Sequence, residues 1–256
     1  MRDAIRLTPS LRERVWGRKH LAPWYPDSDR PIGEAWFLAP RELPLLVKLI
    51  FTSERLSVQV HPDDGEDGPR GKTEMWHILD AEPGATIALG FREPITRERL
   101  RDATATGEIE SLLNWMPVKA GETYFTPAHT VHAIGAGIVL CEIQQNSDVT
   151  YRLWDYGRPR ELHIEKAVPL CDLDVHPGPA ALPVRCEHFT TELVSLAAGA
   201  HVDPEPHECQ LWICIEGEAR IGAEAVRAGE VWLLPDEGSQ PPIVSSRGAR
   251  FLRTWA

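Results

Sequence analysis

Proline and glycine interrupt this chain so often that its regular segments are short. It has 22 prolines and 19 glycines in 256 residues, and both residue types tend to end helices and strands. The runs between them are rich in valine, isoleucine, leucine and aromatic residues, as in β-strands. The strands predicted for the first part of the chain cover residues 45–50, 56–60, 73–79, 87–89, 124–126 and 139–143. The pattern predicts a mainly β protein built from sandwiches or barrels.

Residues 95–114 depart from this pattern. The segment has a threonine near its start and apolar residues at helical spacing, which are signals of a helix. We therefore expect one or two short helices, inserted between strands.

A proline-rich connector at residues 175–183 divides the chain, because its prolines interrupt both helices and sheet ladders. We expect a boundary near residue 175, with a first domain over residues 1–174 and a smaller second domain over residues 175–256. The strands predicted for the second domain cover residues 189–196, 210–215, 219–221, 231–234 and 250–254. They predict a second β-sandwich.

Composition excludes several kinds of partner and location. The formal net charge of -11 argues against nucleic acid or an anionic membrane surface as a general partner. An anionic substrate would therefore need a local basic pocket. The five cysteines form no CxxC pair, so a reducing cytoplasm is the expected location. The N-terminus has no apolar signal core, and no run is long enough to span a membrane.

Four residues suited to metal binding lie in or near predicted strands. Gln59 and His61 are two positions apart, so they project from the same face of a strand, and Glu74 lies on a neighbouring strand. A distant turn after Pro127 adds His132. Two imidazoles, one carboxylate and one amide oxygen suit zinc or a similar divalent ion. Because closed structural zinc sites mostly use cysteine, this set predicts a metal with a catalytic role.

Two turns, one in each half, share the same spacing. Residues 121–127 and 229–235 each run from Gly-Glu through a four-residue strand to proline. This spacing resembles the second motif of cupins, double-stranded β-helix domains in which a ligand histidine follows the proline. The first turn leads to His132, whereas residues 236–240 contain no histidine. The resemblance implies two cupin-type β-sandwich or jelly-roll domains, of which the second binds no metal.

Longer segments carry a more specific resemblance. They include Leu-Ser-Val-Gln-Val-His-Pro-Asp-Asp at 56–64, Gly-Lys-Thr-Glu-Met-Trp at 71–76 and Ser-Asp-Val-Thr-Tyr-Arg at 147–152. Together with segments 33–36, 43–50, 114–121, 127–135 and 160–164, they resemble type I mannose-6-phosphate isomerases in their short bacterial form. The matches keep the family's order from about residue 10 to residue 167.

The resemblance implies a site and a reaction. One zinc ion would be held by Gln59, His61, Glu74 and His132, which match the family's ligands motif by motif. The reaction would interconvert mannose 6-phosphate and fructose 6-phosphate through a cis-enediol, moving a proton between C1 and C2.

Further residues receive roles from the same motifs. Arg152 matches the family's active-site arginine, and Lys72 matches the lysine that lies beside the substrate. Ser57, His129 and Arg158 are additional candidates for substrate contacts. His129 stands where the family has glycine. It is either a substitution without functional effect, a hydrogen-bond donor to the substrate phosphate, or an additional metal ligand.

Several alternatives remain open at this level. Arg152 can instead pair with Asp148 or Asp155, and Lys72 can be a solvated surface lysine. The proton-abstracting base is not identified, with Glu142, Glu165 and His77 as candidates. Two other functions are possible. The protein can be an isomerase of another sugar or sugar phosphate, or a non-catalytic sugar-phosphate sensor that keeps its metal. The sequence does not distinguish a monomer from a dimer.

Overall fold

Strands dominate the structure, a computed structural model that describes residues 4–256. The strands before the connector are β1 (Ile5–Leu7), β2 (Pro9–Arg18), β3 (Ile32–Phe37), β4 (Leu45–Phe51), β5 (Val58–Val60), β6 (Glu74–Ala81), β7 (Thr86–Phe91), β8 (Leu113–Pro117), β9 (Thr123–Thr126), β10 (His132–Ile134), β11 (Ile138–Gln145) and β12 (Tyr151–Trp154). The later strands are β13 (Val184–Arg185), β14 (Thr190–Leu196), β15 (His201–Val202), β16 (Leu211–Ile221), β17 (Glu224–Arg227), β18 (Val231–Leu233), β19 (Ile243–Val244) and β20 (Ala249–Trp255). The helices are α1 (Arg97–Thr106), α2 (Ile109–Leu112) and α3 (Ile164–Leu170). The predicted mainly β fold is confirmed.

Two antiparallel sheets pack face to face in the first half of the chain. One has the strand order β2-β3-β4-β11-β6-β9, and the other has the order β12-β5-β10-β7-β8. A shared apolar cluster joins them, with Ile50, Trp76 and Leu140 from the six-stranded sheet and Ile87 and Leu89 from the five-stranded sheet. This sandwich is the cupin-type architecture expected from the sequence.

The six-stranded sheet lies in the middle of the molecule. Its second face packs against the C-terminal sheet through a cluster that includes Val47, Leu49, Leu211, Ile213 and Leu252. Both β3 and β4 are therefore buried along their whole length. A strand buried on both faces needs an almost continuous apolar sequence, as β4 has.

The helices cover the outer face of the five-stranded sheet. Thr96 begins α1 by accepting a hydrogen bond from the Arg99 backbone N–H at 3.1 Å, and Gly107 ends it with φ 82°. The inserted helices were predicted correctly, although residues 113 and 114 belong to β8. Helix α3 was not predicted from the sequence, because seven residues with an internal proline show little helical periodicity. None of the helices within residues 4–256 has the length and the apolar composition that a membrane span requires.

The C-terminal sheet has the main strand order β1-β18-β16-β20-β14-β13, with β15, β17 and β19 attached. The two strands predicted at 210–215 and 219–221 are one strand, β16, so that prediction was wrong. Gly217, with φ 78°, lets the strand bend and continue instead of ending. β1 comes from the other end of the chain and pairs with β18. The boundary near residue 175 lies between α3 and β13 and stays a prediction.

Candidate active site

Three of the predicted site residues lie side by side across the five-stranded sheet. Gln59 on β5 is directly opposite His132 on β10 and, on its other side, opposite Arg152 on β12. Directly opposed residues project to the same face of a sheet, so groups far apart in sequence meet in one row. His61 follows Gln59 by two residues and projects to the same side.

A second polar row crosses the facing six-stranded sheet. Trp36 on β3 is opposite Lys48 on β4, Lys48 is opposite Glu142 on β11, and Glu142 is opposite Trp76 on β6. Glu74 precedes Trp76 by two residues and projects to the same side. The candidate site lies between these two rows.

His61, Glu74 and His132 bring their potential ligand atoms to one point. These atoms lie within 4.8 Å of one another, and all three side chains are buried. Glu74 Oε2 is 3.7 Å from His61 Nε2, and Glu74 Oε1 is 3.6 Å from His132 Nε2. Within residues 4–256 this is the one group of at least three histidine, cysteine or acidic residues placed this closely.

Backbone hydrogen bonds decide which nitrogen of each histidine is free. His61 Nδ1 is 2.9 Å from the carbonyl oxygen of Val149, and His132 Nδ1 is 2.8 Å from that of Thr130. Because a carbonyl only accepts, each Nδ1 carries the proton and each Nε2 keeps its lone pair. Burial lowers the pKa of both imidazoles, that of His132 to about 4. Neutral imidazoles oriented by a carbonyl are the form that binds metals.

Gln59, the fourth predicted ligand, lies beside His132. Its Nε2 donates to His132 Nε2 at 3.2 Å, and its Oε1 accepts a hydrogen bond from Ser57 Oγ at 3.2 Å. A half-turn of the amide exchanges the two atoms and directs the oxygen toward His132. The four side chains then offer two imidazole nitrogens, a carboxylate and an amide oxygen, a donor set that fits zinc.

Lys72 lies against these residues and not in solvent. Its buried Nζ donates to Glu74 Oε2 at 2.8 Å and lies 2.9 Å from His61 Nε2. Burial alone would lower the pKa of Lys72, but the carboxylates of Glu74 and Glu142 raise it. The alternative that Lys72 is a solvated surface lysine is therefore wrong.

Lys48 is a component of the site to which sequence reasoning gave no role. Its Nζ donates to Glu142 Oε1 at 3.0 Å and to Gln144 Oε1 at 2.5 Å, and it lies 4.4 Å from the centre of the Trp36 ring. Burial would raise the pKa of Glu142, but Lys48 and Lys72 lower it to about 2. A single lysine inside the run Leu-Leu-Val-Lys-Leu-Ile-Phe was the signal that could have identified this position.

A cavity of about 410 Å³ opens beside these groups. Its lining includes the predicted residues Ser57, Gln59, Lys72, Glu142 and Arg152. Five basic residues line it, namely Arg14, Lys48, Lys72, Arg152 and Arg160. The acidic residues of the lining are three, namely Glu34, Glu142 and Asp148. In an acidic protein, this is the local basic pocket that an anionic substrate requires.

Arg152 has unused hydrogen-bonding capacity. Its Nη1 donates to the Glu161 carbonyl oxygen at 2.7 Å, whereas its buried Nε has no partner among residues 4–256. Asp155 pairs with Arg158 and Arg160 instead. No ion pair joins Arg152 to either proposed aspartate in the described part of the chain, so that structural alternative is wrong.

Two predicted substrate contacts lie elsewhere. His129 is not part of the cavity lining, and its Nε2 is 2.7 Å from Glu66 Oε2. Arg158 donates to the Arg55 carbonyl oxygen at 2.7 Å and pairs with Asp155 at 2.9 Å. The structure therefore does not bring these two side chains to the cavity.

Two of the three candidate bases also lie away from the cavity. His77 lies on the face of β6 that is turned toward the C-terminal sheet. Its Nδ1 is 2.8 Å from Thr123 Oγ1 on the neighbouring strand β9. Glu165 is exposed on α3 and pairs with Arg101. Glu142 is the candidate that lines the cavity.

Known proteins provide a comparison for this site and fold. The chain is 31% identical to mannose-6-phosphate isomerase ManA from Bacillus subtilis, over 89% of this chain and 91% of the relative. It is 44% identical to a mannose-6-phosphate isomerase from Streptococcus mutans, over 49% of this chain and 42% of the relative. No family model matches the chain.

Solved structures give the same result for the fold. The crystal structure of mannose 6-phosphate isomerase from Bacillus subtilis matches with a TM-score of 0.87 and 25% identity, and the match covers all of both chains. A mutant of phosphomannose isomerase from Salmonella typhimurium matches with a TM-score of 0.80 over 99% of both chains. At 19% identity, this second match concerns the fold alone.

Proposed function

Since the chain belongs to the mannose-6-phosphate isomerase family, we propose that it interconverts mannose 6-phosphate and fructose 6-phosphate with one bound zinc ion. The observation that carries the proposal is the meeting of His61, Glu74 and His132 at one point. Two residues that hydrogen-bond to this group, Gln59 and Lys72, line a basic cavity. A protein that only binds sugar phosphates has no need for a metal-ligand set next to buried lysines. We therefore favour catalysis over a sensor.

Gln59, His61, Glu74 and His132 are the residues that would hold the zinc ion. The neutral state of both histidines leaves Glu74 as the one negative ligand, so the site keeps a net charge near +1. When bound, zinc supplies a Lewis acid that stabilises negative charge on a carbonyl or enediol oxygen.

The proposed reaction proceeds through a cis-enediol. The C2–H bond of the aldose breaks as the carbonyl oxygen on C1 gains a proton. In the ketose direction C1 then gains a proton while the hydroxyl on C2 loses one. Substrate and product are isomers, so no oxidant or reductant is consumed.

Lys72 and Arg152 are the cations that we assign to the reacting end of the sugar. The buried ammonium group of Lys72 can hold a proton near a sugar oxygen, and Arg152 has unused donors that can bind hydroxyl or phosphate oxygens. Fixed positive groups in a site shielded from water stabilise the charge that develops as the proton leaves carbon. Glu142 is the carboxylate that we propose for proton transfer, since it lines the same cavity.

The basic lining supports a phosphorylated substrate. Arg160 uses two nitrogens for Asp155, and Lys48 is engaged by Glu142 and Gln144. Arg152 has no carboxylate partner within residues 4–256. Arg152 thus keeps donors for a substrate oxygen, and the excess of basic over acidic side chains in the lining is what favours a phosphorylated sugar.

The test is a coupled assay of the purified protein that measures conversion of mannose 6-phosphate to fructose 6-phosphate. We expect turnover that disappears after treatment with a chelator and returns with zinc. Free mannose and other hexose phosphates, assayed in parallel, decide the substrate. A preference for free mannose would refute the phosphate specificity, and zinc binding without turnover on any sugar would favour a sensor.

We also propose that the protein works in a reducing compartment, the cytoplasm. All five cysteines are free, and four of them are buried. A fold whose thiols are all unpaired has no need of an oxidising environment.

A further inference from the structure

His129 has a backbone conformation that favours glycine. Its φ is 71°, a left-handed value that costs most other residues free energy. In this conformation its backbone N–H donates to the carbonyl oxygen of His61 at 2.9 Å. The turn that leads to His132 is thus bonded directly to the segment that carries the other histidine of the site.

The side chain of His129 makes a second connection. Its Nε2 is 2.7 Å from Glu66 Oε2, and the same oxygen accepts the backbone N–H of Asp63 at 2.7 Å. Glu66 and Asp63 belong to the loop 62–71, which joins His61 to Lys72. The imidazole therefore links this loop to the turn at 127–132.

Other acidic residues fasten the rest of the loop. Asp64 Oδ1 accepts hydrogen bonds from the Gly71 backbone N–H at 2.6 Å and from Gln145 Nε2 at 2.8 Å. Asp67 Oδ2 accepts a hydrogen bond from Tyr151 Oη at 2.5 Å. These bonds hold the loop to β11 and β12, whereas the bond between His129 and Glu66 holds it to the turn that positions His132.

We propose that His129 is a positioning residue: with Glu66 it forms a clasp that fixes the separation of His61 and His132 before a metal binds. This rests on the proposed function, since the zinc site is what the clasp prepares. Holding two ligands at the correct separation in advance reduces the ordering cost of binding. The two side chains are 33% and 34% exposed, so the effect should be moderate and not decisive for folding.

Zinc affinity, measured by competition with a chelating indicator, tests the clasp. Glu66→Ala removes the partner, and His129→Gly removes the imidazole while it suits the positive φ. Each should weaken zinc binding by roughly threefold to tenfold. Because both act on one contact, the double variant should be no weaker than the single variants. Glu66→Gln keeps an acceptor and should stay within about twofold of the wild type.

Glu42→Ala is the matched control. It removes an exposed ion pair in which Glu42 Oε1 is 2.6 Å from Nη1 of Arg70, a residue of the loop 62–71. This ion pair does not involve the turn at 127–132. Zinc affinity should be unchanged in this variant. In metal-free protein, hydrogen exchange of the amides in residues 62–71 should be faster in Glu66→Ala than in the wild type and in Glu42→Ala.

The outcomes separate the clasp from the proposed function. Equal zinc affinity and equal exchange in the wild type and Glu66→Ala, or additive losses in the double variant, would overturn the clasp and leave the isomerase proposal intact. A wild type that binds no zinc would overturn the proposed metal site, and the exchange rates of the metal-free variants would still decide whether the clasp exists.

Discussion

Lys48 and Glu142 face each other on the neighbouring strands β4 and β11, and their charged groups are 3.0 Å apart with 3% and 4% side-chain exposure. Moving an ion pair out of water carries a large desolvation cost. Hydrogen bonds offset part of it, since Lys48 also donates to Gln144 and Trp76 Nε1 donates to Glu142 Oε2 at 3.2 Å. The pair lines the candidate cavity, so we attribute its presence to the function of the cavity and not to stability.

Lys48→Met leaves Glu142 buried without its nearest cation. We expect the free energy of unfolding to fall by about 3 kcal/mol, as when one partner of a buried pair is removed, and the pKa of Glu142 to rise. Urea unfolding at pH 7 measures the change. The double variant Lys48→Met/Glu142→Leu removes both charges and should regain most of the loss; an equally unstable double variant would contradict this explanation.

Glu74→Ala removes the one negatively charged residue of the proposed zinc set. We expect zinc content after dialysis and turnover of mannose 6-phosphate to fall together, by at least about tenfold each, because the site loses both a ligand and its charge. Metal analysis alongside the coupled assay provides the measurement. Glu165→Ala, which removes an exposed carboxylate that does not line the cavity, should change neither value. Full zinc content in Glu74→Ala would show that the metal site is wrongly assigned.

Arg152→Ala should separate metal binding from catalysis. Zinc content should stay at the wild-type level, because the guanidinium makes no hydrogen bond to the four proposed ligands. We expect kcat/KM to fall about a hundredfold or more, in line with the loss of a fixed group that stabilises developing charge. Arg101→Ala on the surface of α1 serves as the control. An Arg152→Ala protein with wild-type kcat/KM would refute the role of this arginine.

The sequence predicted those parts of the fold and site in which local spacing determines geometry. The two-residue separation of Gln59 and His61 placed both on one side of a strand. β-strand patterning located four strands of the six-stranded sheet (β4, β6, β9 and β11) but only β5 and β7 of the five-stranded sheet. Motif resemblance then added His132, whose position depends on pairing between β5 and β10 that no local pattern reveals.

The failures have different physical origins. Lys48 was given no role because its partner Glu142 lies 94 positions away and becomes a neighbour only through the register of β4 and β11. β16 was divided in two because a glycine inside a strand gives the same signal as a turn. His77 was considered as a base although it follows Glu74 by three residues on one strand, a spacing that already places the two side chains on opposite faces.

The buried imidazole of His77 gives a prediction for pH dependence. Burial, with a smaller effect from Arg250, lowers the pKa of His77 from 6.5 to about 4. Asp80, Glu216 and Arg250 line the cavity beside it. Between these two pKa values the unfolded chain binds more protons at this position than the folded protein does, so the contribution to stability rises with pH. The contribution of neutral His77 to stability is fully present above pH 6.5 and is lost as the pH falls toward 4.

The pKa of His77 differs by about 2.5 units between the unfolded and folded states, and each unit corresponds to 1.36 kcal/mol. The expected change in unfolding free energy is therefore roughly 3 kcal/mol. Other buried histidines also titrate, so the informative quantity is the difference in unfolding free energy between wild type and His77→Gln at each pH from 4 to 7. This difference should shift in favour of the variant as the pH falls, because glutamine cannot be protonated there. If the His77→Gln curve is parallel to the wild type, His77 does not titrate with the lowered pKa.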